Sequence, residues 1–207
     1  MTQGDPDIDL VHRARGGDFA AFQDLVARHE RRLYTLALRI LRQPQDAEDA
    51  VQETFLSVLE HLRDFREESS FHTWVVRIAT NHALGLLRKR RGTVTALRDD
   101  DGDDDRAPLP HPQFIAPWED NPEEIVKRKE VSELLGKALE TLSEKYLTAF
   151  LLRDVEGVST EETARILGIS EANVRVRLHR ARLFLREELT RTLGVPERRA
   201  MPSHPHG

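Results

Sequence analysis

The chain has 207 residues, 39% of them hydrophobic and 32% charged, a composition that supports one large or two small globular domains. It has no cysteine, which excludes a disulfide framework, a thiolate metal site and a thiol nucleophile. The first residues lack a signal-peptide pattern and no apolar run is as long as a membrane span. We therefore expect a cytoplasmic protein without direct membrane insertion.

Three helices are predicted in the first part of the chain. Asp18 suits the N-cap of a helix whose apolar residues recur at helical spacing. Pro44 marks a turn, and further helices are predicted at 45–62 and 70–91. The residues expected to face the core are Phe22, Leu25, Val26, His29, Leu33, Leu36, Ile40, Ala47, Val51, Phe55, Val58, Leu62, Phe71, Trp74, Val75, Ile78 and Leu86.

The net charge of −5 is concentrated in the middle of the chain, because residues 1–91 are neutral, 92–124 carry −8 and 125–207 carry +3. Residues 92–124 include six aspartates within seven residues and five prolines, and they show no periodicity. A calcium loop centred on Gly102 would place Leu97 and Pro108 at positions that need carboxylates. This segment is therefore predicted to be a flexible acidic linker.

A helix-turn-helix is predicted after the linker. Helices are expected near 123–141 and 143–155, and Ser159 with Glu162 has the form of a capping box that starts the next helix. That helix runs to Gly168, and Ser170 caps the last one. The predicted fold is all-α, with domains at 1–91 and 125–193, the linker at 92–124 and a disordered tail at 194–207. The residues with the spacing of a helix-turn-helix core are Ala164, Gly168, Val174 and Leu178.

The last helix is rich in arginine. At 100° per residue, its buried stripe is predicted to comprise Val174, Leu178, Ala181 and Leu185, and the arginines occupy the remaining face. No acid occurs from Ala172 to Arg186, whereas a helix made only for solubility would mix charges. Because the second helix of such a motif enters the major groove, nucleic-acid binding is predicted.

Four stretches resemble the extracytoplasmic-function sigma factors of bacterial RNA polymerase. They are "GGDFAAFQDLVARH" at 16–29, "DAEDAVQETFLSVLEHLRDF" at 46–65, "FHTWVVRIATNHALGLLRKRR" at 71–91 and the segment 142–189, which contains the arginine helix. The resemblance implies a non-catalytic protein, without cofactor or metal, that binds core RNA polymerase, directs it to promoter DNA and helps to open the duplex. It also implies regulation by an anti-sigma factor.

The helix at 45–62 carries an acidic stripe around an exposed leucine, a surface suited to a basic partner helix, although a solvated face is the alternative. The resemblance implies that this helix binds the polymerase through Asp46, Asp49, Gln52, Glu53 and Leu56.

The helix at 70–91 has a strip of Arg77, Asn81, Leu84 and Arg88 beside its apolar face, and it ends in a basic run that also suits the helix dipole. The resemblance implies that this helix and the loop "REESS" read the minus-ten element. An unstacked base would lie near Asn81, and Trp74 is expected to be a core residue. The residues assigned to this element are Arg77, Asn81, Arg88, Ser69 and Ser70.

The arginine helix is implied to read the minus-thirty-five element, through base or phosphate contacts. Many members start this helix with Pro-x-Gly-Thr, whereas this chain has "SEAN" at 170–173, which predicts a different promoter preference. Arg182 is expected to contact a DNA phosphate or to pack within the protein, and not to read a base. The residues assigned to this element are Arg175, Val176, Arg177, His179, Arg180 and Arg182.

Two other classes of function are open from sequence. A stand-alone helix-turn-helix regulator would use the N-terminal helices to sense a ligand, which the acidic stripe and second basic helix argue against. A metal-dependent nuclease would need clustered ligands, but the nine histidines are scattered and the aspartate run lies in the linker.

Overall fold

The computed structural model describes residues 5–91 and 124–193, and these residues form helices joined by turns, without a β-strand. The prediction of an all-α fold is confirmed. The predicted tail and all of the predicted linker except Glu124 lie outside the described residues. No helix of the described part is both long and apolar enough to cross a membrane.

The N-terminal region, residues 5–91, contains four helices. They are α1 (Ile8–Arg15), α2 (Phe19–Leu41), α3 (Pro44–His61), which continues into a 3₁₀ turn at Leu62–Asp64, and α4 (Phe71–Arg91). Helix α1 was not predicted; it is only eight residues long and buries Leu10 and Val11, so its signal in the sequence is short. The predicted bounds of the other three helices agree with the structure to within one residue.

The caps of α2 and α3 follow from sequence. The Asp18 side chain accepts a hydrogen bond from the Ala21 amide at 3.1 Å, which satisfies a free donor at the start of α2. Helix α2 ends at Leu41, and the next residue, the C-cap Arg42, has a left-handed φ of 56°. Pro44 then occupies the first turn of α3, where its missing N–H costs nothing. The chain therefore reverses direction within two residues.

The core of the N-terminal region has an aromatic cluster at its centre. The Phe71 side chain is fully buried, and its ring centroid lies 5.9 Å from those of both Phe65 and Trp74 and 5.4 Å from that of His29. Trp74 is a core residue, as predicted. Leu84, which the sequence placed on the strip beside the apolar face of α4, is buried with that face. Four predicted core residues are only partly buried: Val26, Phe55, Ile78 and Leu86.

The C-terminal region, residues 124–193, contains α5 (Glu124–Thr141), α6 (Glu144–Phe150), a π-helical segment (Leu151–Val155), α7 (Thr160–Leu167) and α8 (Glu171–Leu193). The Ser159 hydroxyl accepts a hydrogen bond from the Glu162 amide at 3.1 Å and caps α7, as predicted. Gly168, with φ of 68°, makes the left-handed turn between α7 and α8. The helix-turn-helix core is a separate apolar cluster of Ala164, Val174 and Leu178, with Ile169 against it.

The two regions are in contact. The buried apolar residues of α1 to α4 form one continuous cluster with those of α5, α6 and the C-terminal half of α8. At the edge of this contact, the Arg42 guanidinium donates to the Leu142 carbonyl oxygen at 3.0 Å. The structure thus shows a closed arrangement of the two regions.

Candidate functional site

Helix α8 has the position of a recognition helix. The Ser170 hydroxyl accepts a hydrogen bond from the Asn173 amide at 3.2 Å and fixes the start of the helix directly after the Gly168 turn. All four members of the predicted buried stripe, which are Val174, Leu178, Ala181 and Leu185, are buried. Packing along this stripe determines which side chains of the helix remain at the surface.

Three assigned residues of α8 point outward. The Arg175 side chain is 66% exposed, Val176 is 41% exposed, and His179 is exposed. The Arg175 guanidinium donates to the Glu171 carboxylate, one turn earlier, at 2.7 Å. An exposed pair of this kind is weak and can be exchanged for a phosphate or a base. These three residues are therefore available to nucleic acid.

Two assigned arginines of α8 point inward. Arg177 is 6% exposed, and its Nε donates to the Asn173 side-chain oxygen at 2.8 Å. Arg180 is partly buried, and its Nη1 donates to the Tyr146 hydroxyl of α6 at 3.1 Å. The helical wheel placed both on the exposed arc. It could not show that α5 and α6 pack against a second side of α8, where Arg180 contacts α6. Arg177 thus lies in the interior and not on the surface assigned to DNA.

Arg182 holds α8 against the π-helical segment. Its Nε and Nη2 donate to the two oxygens of Asp154 at 2.8 and 2.6 Å. This bidentate hydrogen bond raises the pKa of Arg182 above its already high value. The Arg182 side chain is nevertheless 57% exposed, so the geometry is compatible with both roles expected for this residue, phosphate contact and packing.

On α4, Asn81 and Arg88 are exposed two turns apart. Arg77, one turn before Asn81, is half-buried, and its Nη1 lies 3.5 Å from the Glu162 carboxylate of α7. The structure therefore brings the three polar residues assigned to the minus-ten element onto one side of α4. One of them already contacts the C-terminal region.

The loop before α4 is fixed by α1 and by its own serines. The Ser70 hydroxyl accepts a hydrogen bond from the Thr73 amide at 3.1 Å and so caps α4, and Ser69 is partly buried beside it. Glu67, with a left-handed φ of 61°, pairs with His12 at 3.0 Å and Arg15 at 2.7 Å. These hydrogen bonds, that of His12 first, lower the pKa of Glu67. Helix α1, which sequence reasoning missed, positions this loop.

Most of the assigned acidic face of α3 is free. Asp49, Gln52 and Glu53 are exposed, and Leu56 is 48% exposed among them. Asp46, in contrast, is half-buried and pairs with Arg90 of α4 at 3.0 Å. The predicted surface is thus present, with Asp46 at its edge.

An apolar groove of about 670 Å³ lies beside this face, between α2 and α3. Leu59, one turn after Leu56, is 53% exposed on its wall. Sequence reasoning did not include Leu59, although its spacing from Leu56 was a signal. Two leucines exposed to this extent on one groove are typical of a protein-binding surface. The other residues that line the groove are Phe22, Glu30, Arg31, Tyr34, Glu48, Val51, Gln52 and Phe55.

Comparison with known proteins decides the family. A family model of sigma-70 region 2 matches residues 25–93, and a model of sigma-70 region 4 matches residues 132–185. The RNA polymerase sigma-H factor of Pseudomonas aeruginosa is 32% identical over 184 residues, 88% of this chain and 93% of its own length. The ECF RNA polymerase sigma factor SigE of Mycolicibacterium smegmatis is 36% identical over 179 residues. The chain belongs to the ECF sigma factors.

The solved structure of CnrH in complex with the cytosolic domain of CnrY has a TM-score of 0.56 and 27% identity to this sigma factor, and the match covers 89% of this chain and 97% of that one. The SigE match covers 84% of this chain and 65% of SigE. Region 2 contains α3 and α4, and region 4 contains α7 and most of α8. Membership in this family identifies a transcription initiation factor and argues against a stand-alone regulator.

Proposed function

We propose that this sigma factor binds core RNA polymerase through α3 and reads promoter DNA with α4 and α8, as a cytoplasmic protein without catalytic activity. One observation carries the proposal. The exposed acidic face of α3 lies in region 2, and the exposed surface of Arg175, Val176 and His179 lies in region 4. In this proposal the N-terminal and C-terminal regions are separate domains, at 1–91 and 125–193.

The polymerase surface is the face of α3 around Leu56. Exposed Asp49 and Glu53 make it electronegative, while Leu56 and Leu59 supply apolar area at the groove. An apolar anchor inside a charged rim is the arrangement found at energetically important parts of protein interfaces. A basic helix of the polymerase would complement this surface, and the charges would set its orientation.

The minus-thirty-five element would be read by the first half of α8. Arg175 can donate two hydrogen bonds to a guanine or contact a phosphate, and the exposed Val176 can contact a thymine methyl group. His179, one turn after Arg175, extends this surface along the groove. Arg177 and Arg180 support the helix from inside, through Asn173 and Tyr146.

The minus-ten element would be read by α4 and the loop before it. Exposed Asn81 can donate to and accept from the edge of an unstacked base, and exposed Arg88 can contact the DNA backbone. Arg15 holds the loop through Glu67, and Ser70 at its end caps α4. The loop would therefore present a fixed surface to single-stranded DNA.

A protein regulator is part of the proposal. CnrH, which is similar over most of its length, was solved with the cytosolic domain of CnrY. We expect an anti-sigma factor to bind this chain and compete with the polymerase.

Run-off transcription with core RNA polymerase and a promoter library tests the proposal. Addition of the protein should produce initiation above that of core enzyme alone, at a subset of promoters with a shared pair of elements. Glu53→Lys should abolish initiation by weakening polymerase binding, while Glu140→Lys, an exposed acid of α5, is the matched control. A protein that binds duplex DNA but never associates with core enzyme would contradict the proposal.

A further inference from the structure

The two regions meet at a buried carboxylate. Glu156 follows the π-helical segment, and its side chain is only 3% exposed. Its Oε2 accepts a hydrogen bond from Arg32 Nε of α2 at 2.6 Å, and His72 Nε2 of α4 lies 3.2 Å from the same oxygen, although not in hydrogen-bond alignment. Every described side-chain partner of Glu156 thus belongs to the N-terminal region. We call Arg32, His72 and Glu156 the clasp.

The N-terminal side of the clasp is held in place. Arg32 Nη2 also donates to the Val155 carbonyl oxygen at 3.1 Å, so its guanidinium spans two acceptors of the C-terminal region. The His72 ring stacks on that of His29 at 5.7 Å, and His29 Nε2 lies 2.8 Å from the buried carboxylate of Asp7. The His72 ring is therefore positioned by the core of the N-terminal region, and Arg32 is held by its two acceptors in the C-terminal region.

Burial of a carboxylate is unfavourable unless the group is paired and hydrogen-bonded. Within its own region, Glu156 has no described side-chain partner. It is buried where the N-terminal region covers it, and its partners Arg32 and His72 belong to that region. If the regions separated, water would solvate Glu156, Arg32 and His72 at little cost. Loss of one partner would therefore leave the other buried and unpaired only in the closed arrangement, so closure, and not the fold of either region, is sensitive to the clasp.

A second polar contact places the promoter-reading surface in the same interface. Arg77 of α4 lies 3.5 Å from Glu162, which is in the first turn of the helix-turn-helix. In the closed arrangement α7 therefore contacts the face of α4 assigned to the minus-ten element. Two promoter elements about two helical turns apart are separated by roughly 70 Å, so the regions cannot contact both while they touch.

We infer that the clasp holds the free protein in an autoinhibited state, in which the helix-turn-helix covers part of the minus-ten surface until polymerase separates the regions. This inference rests on the proposed function for the identity of the covered surface. The closed arrangement itself is seen in the shared apolar cluster and in the contacts of Glu156, and it does not depend on the proposed function.

Glu156→Gln tests the clasp, because it keeps the size of the side chain and removes the charge. Glu161→Gln is the matched control, since Glu161 pairs with Arg165 of its own helix. The chain has no cysteine, so the exposed positions Gln23 and Lys137 can be changed to cysteine and spin-labelled in the full-length protein. We expect one narrow distance distribution for the starting protein and the control, and a broader, longer one for Glu156→Gln.

A charge exchange strengthens the test. Arg32→Glu should open the protein, and the double variant Arg32→Glu with Glu156→Arg should restore the narrow distribution. Should Glu156→Gln fold poorly, Arg32→Gln removes the same hydrogen bond from a half-exposed side chain. Identical distributions for the clasp variants and Glu161→Gln would overturn the inference, as would failure of the exchange to restore closure.

DNA binding by the free protein provides the functional measurement. Opening should raise affinity for the single-stranded minus-ten element by about fivefold in Glu156→Gln and not in Glu161→Gln. No difference between the two variants would overturn the autoinhibitory role. Run-off transcription at saturating polymerase should be unchanged in both. If the starting protein failed to initiate, the proposed function would fall, while the distance measurements would still decide whether the clasp closes the chain.

Discussion

Replacement of Arg175 by alanine should separate DNA recognition from stability. In the folded protein, Arg175 makes only an exposed pair with Glu171 at 2.7 Å, so its loss should lower the free energy of unfolding by less than about 0.5 kcal/mol. At DNA, loss of a guanidinium contact to a base edge costs about 1–3 kcal/mol, or about 5- to 150-fold in affinity. The assay is titration of a minus-thirty-five duplex taken from promoters selected by the polymerase-bound protein.

Arg177→Ala, two residues along the same helix, is the matched control. Because Arg177 is 6% exposed and donates to Asn173 at 2.8 Å, its removal should lower the free energy of unfolding by about 1–2 kcal/mol. Affinity per folded molecule should change by less than about twofold, because the side chain does not reach the DNA-facing surface. The reasoning would be refuted if Arg177→Ala weakened DNA binding without loss of stability, or if Arg175→Ala bound as tightly as the starting protein.

Three further outcomes concern the polymerase surface, the core and pH. Leu56→Asp should weaken binding to core polymerase by about tenfold in a competition assay without changing the melting temperature, because Leu56 is 48% exposed; unchanged affinity would remove Leu56 from the interface. Phe71→Ala should lower the free energy of unfolding by about 3–5 kcal/mol in denaturant titrations, and a loss below about 1 kcal/mol would contradict its central place in the core. Burial lowers the pKa of His29 below its ordinary value of 6.5 despite the contact with Asp7, so the stability due to neutral His29 is complete above that pH and is lost as pH falls through the lower folded pKa. The melting temperature should therefore fall more from pH 7.5 to 5.5 in the starting protein than in His29→Gln, and equal decreases would refute this assignment.

Much of the fold was predictable because its signals are local. Asp18 and Ser159 cap the helices that the sequence assigned to them, and the buried stripe of α8 follows from spacing alone. The acidic face of α3 was also predictable, since a helix with one apolar stripe exposes the opposite side. The exposure of Asp49, Gln52 and Glu53 agrees with this expectation.

Features that depend on distant partners were not predictable. The inward position of Arg180 depends on α6, which with α5 covers a second side of α8. Glu156, followed by a glycine, reads in the sequence as a simple helix end, yet its main partner Arg32 is 124 residues away. Periodicity identifies the face that one helix buries on average, but not which neighbours cover it.

The acid partners of α8 have a thermodynamic consequence for DNA binding. Arg175 and Arg182 are each neutralised by a carboxylate of the same chain, Glu171 and Asp154 respectively. Contacts between cations and DNA phosphates draw much of their free energy from released counterions, and the logarithm of affinity falls by about 0.9 per phosphate for each unit of log salt. An arginine that leaves an internal carboxylate for a DNA phosphate releases a counterion from the DNA, but the carboxylate that it leaves attracts a counterion in turn. The net number of released ions is therefore smaller than for an unpaired arginine. The affinity of this helix for DNA should accordingly depend less on salt concentration than its number of arginines suggests.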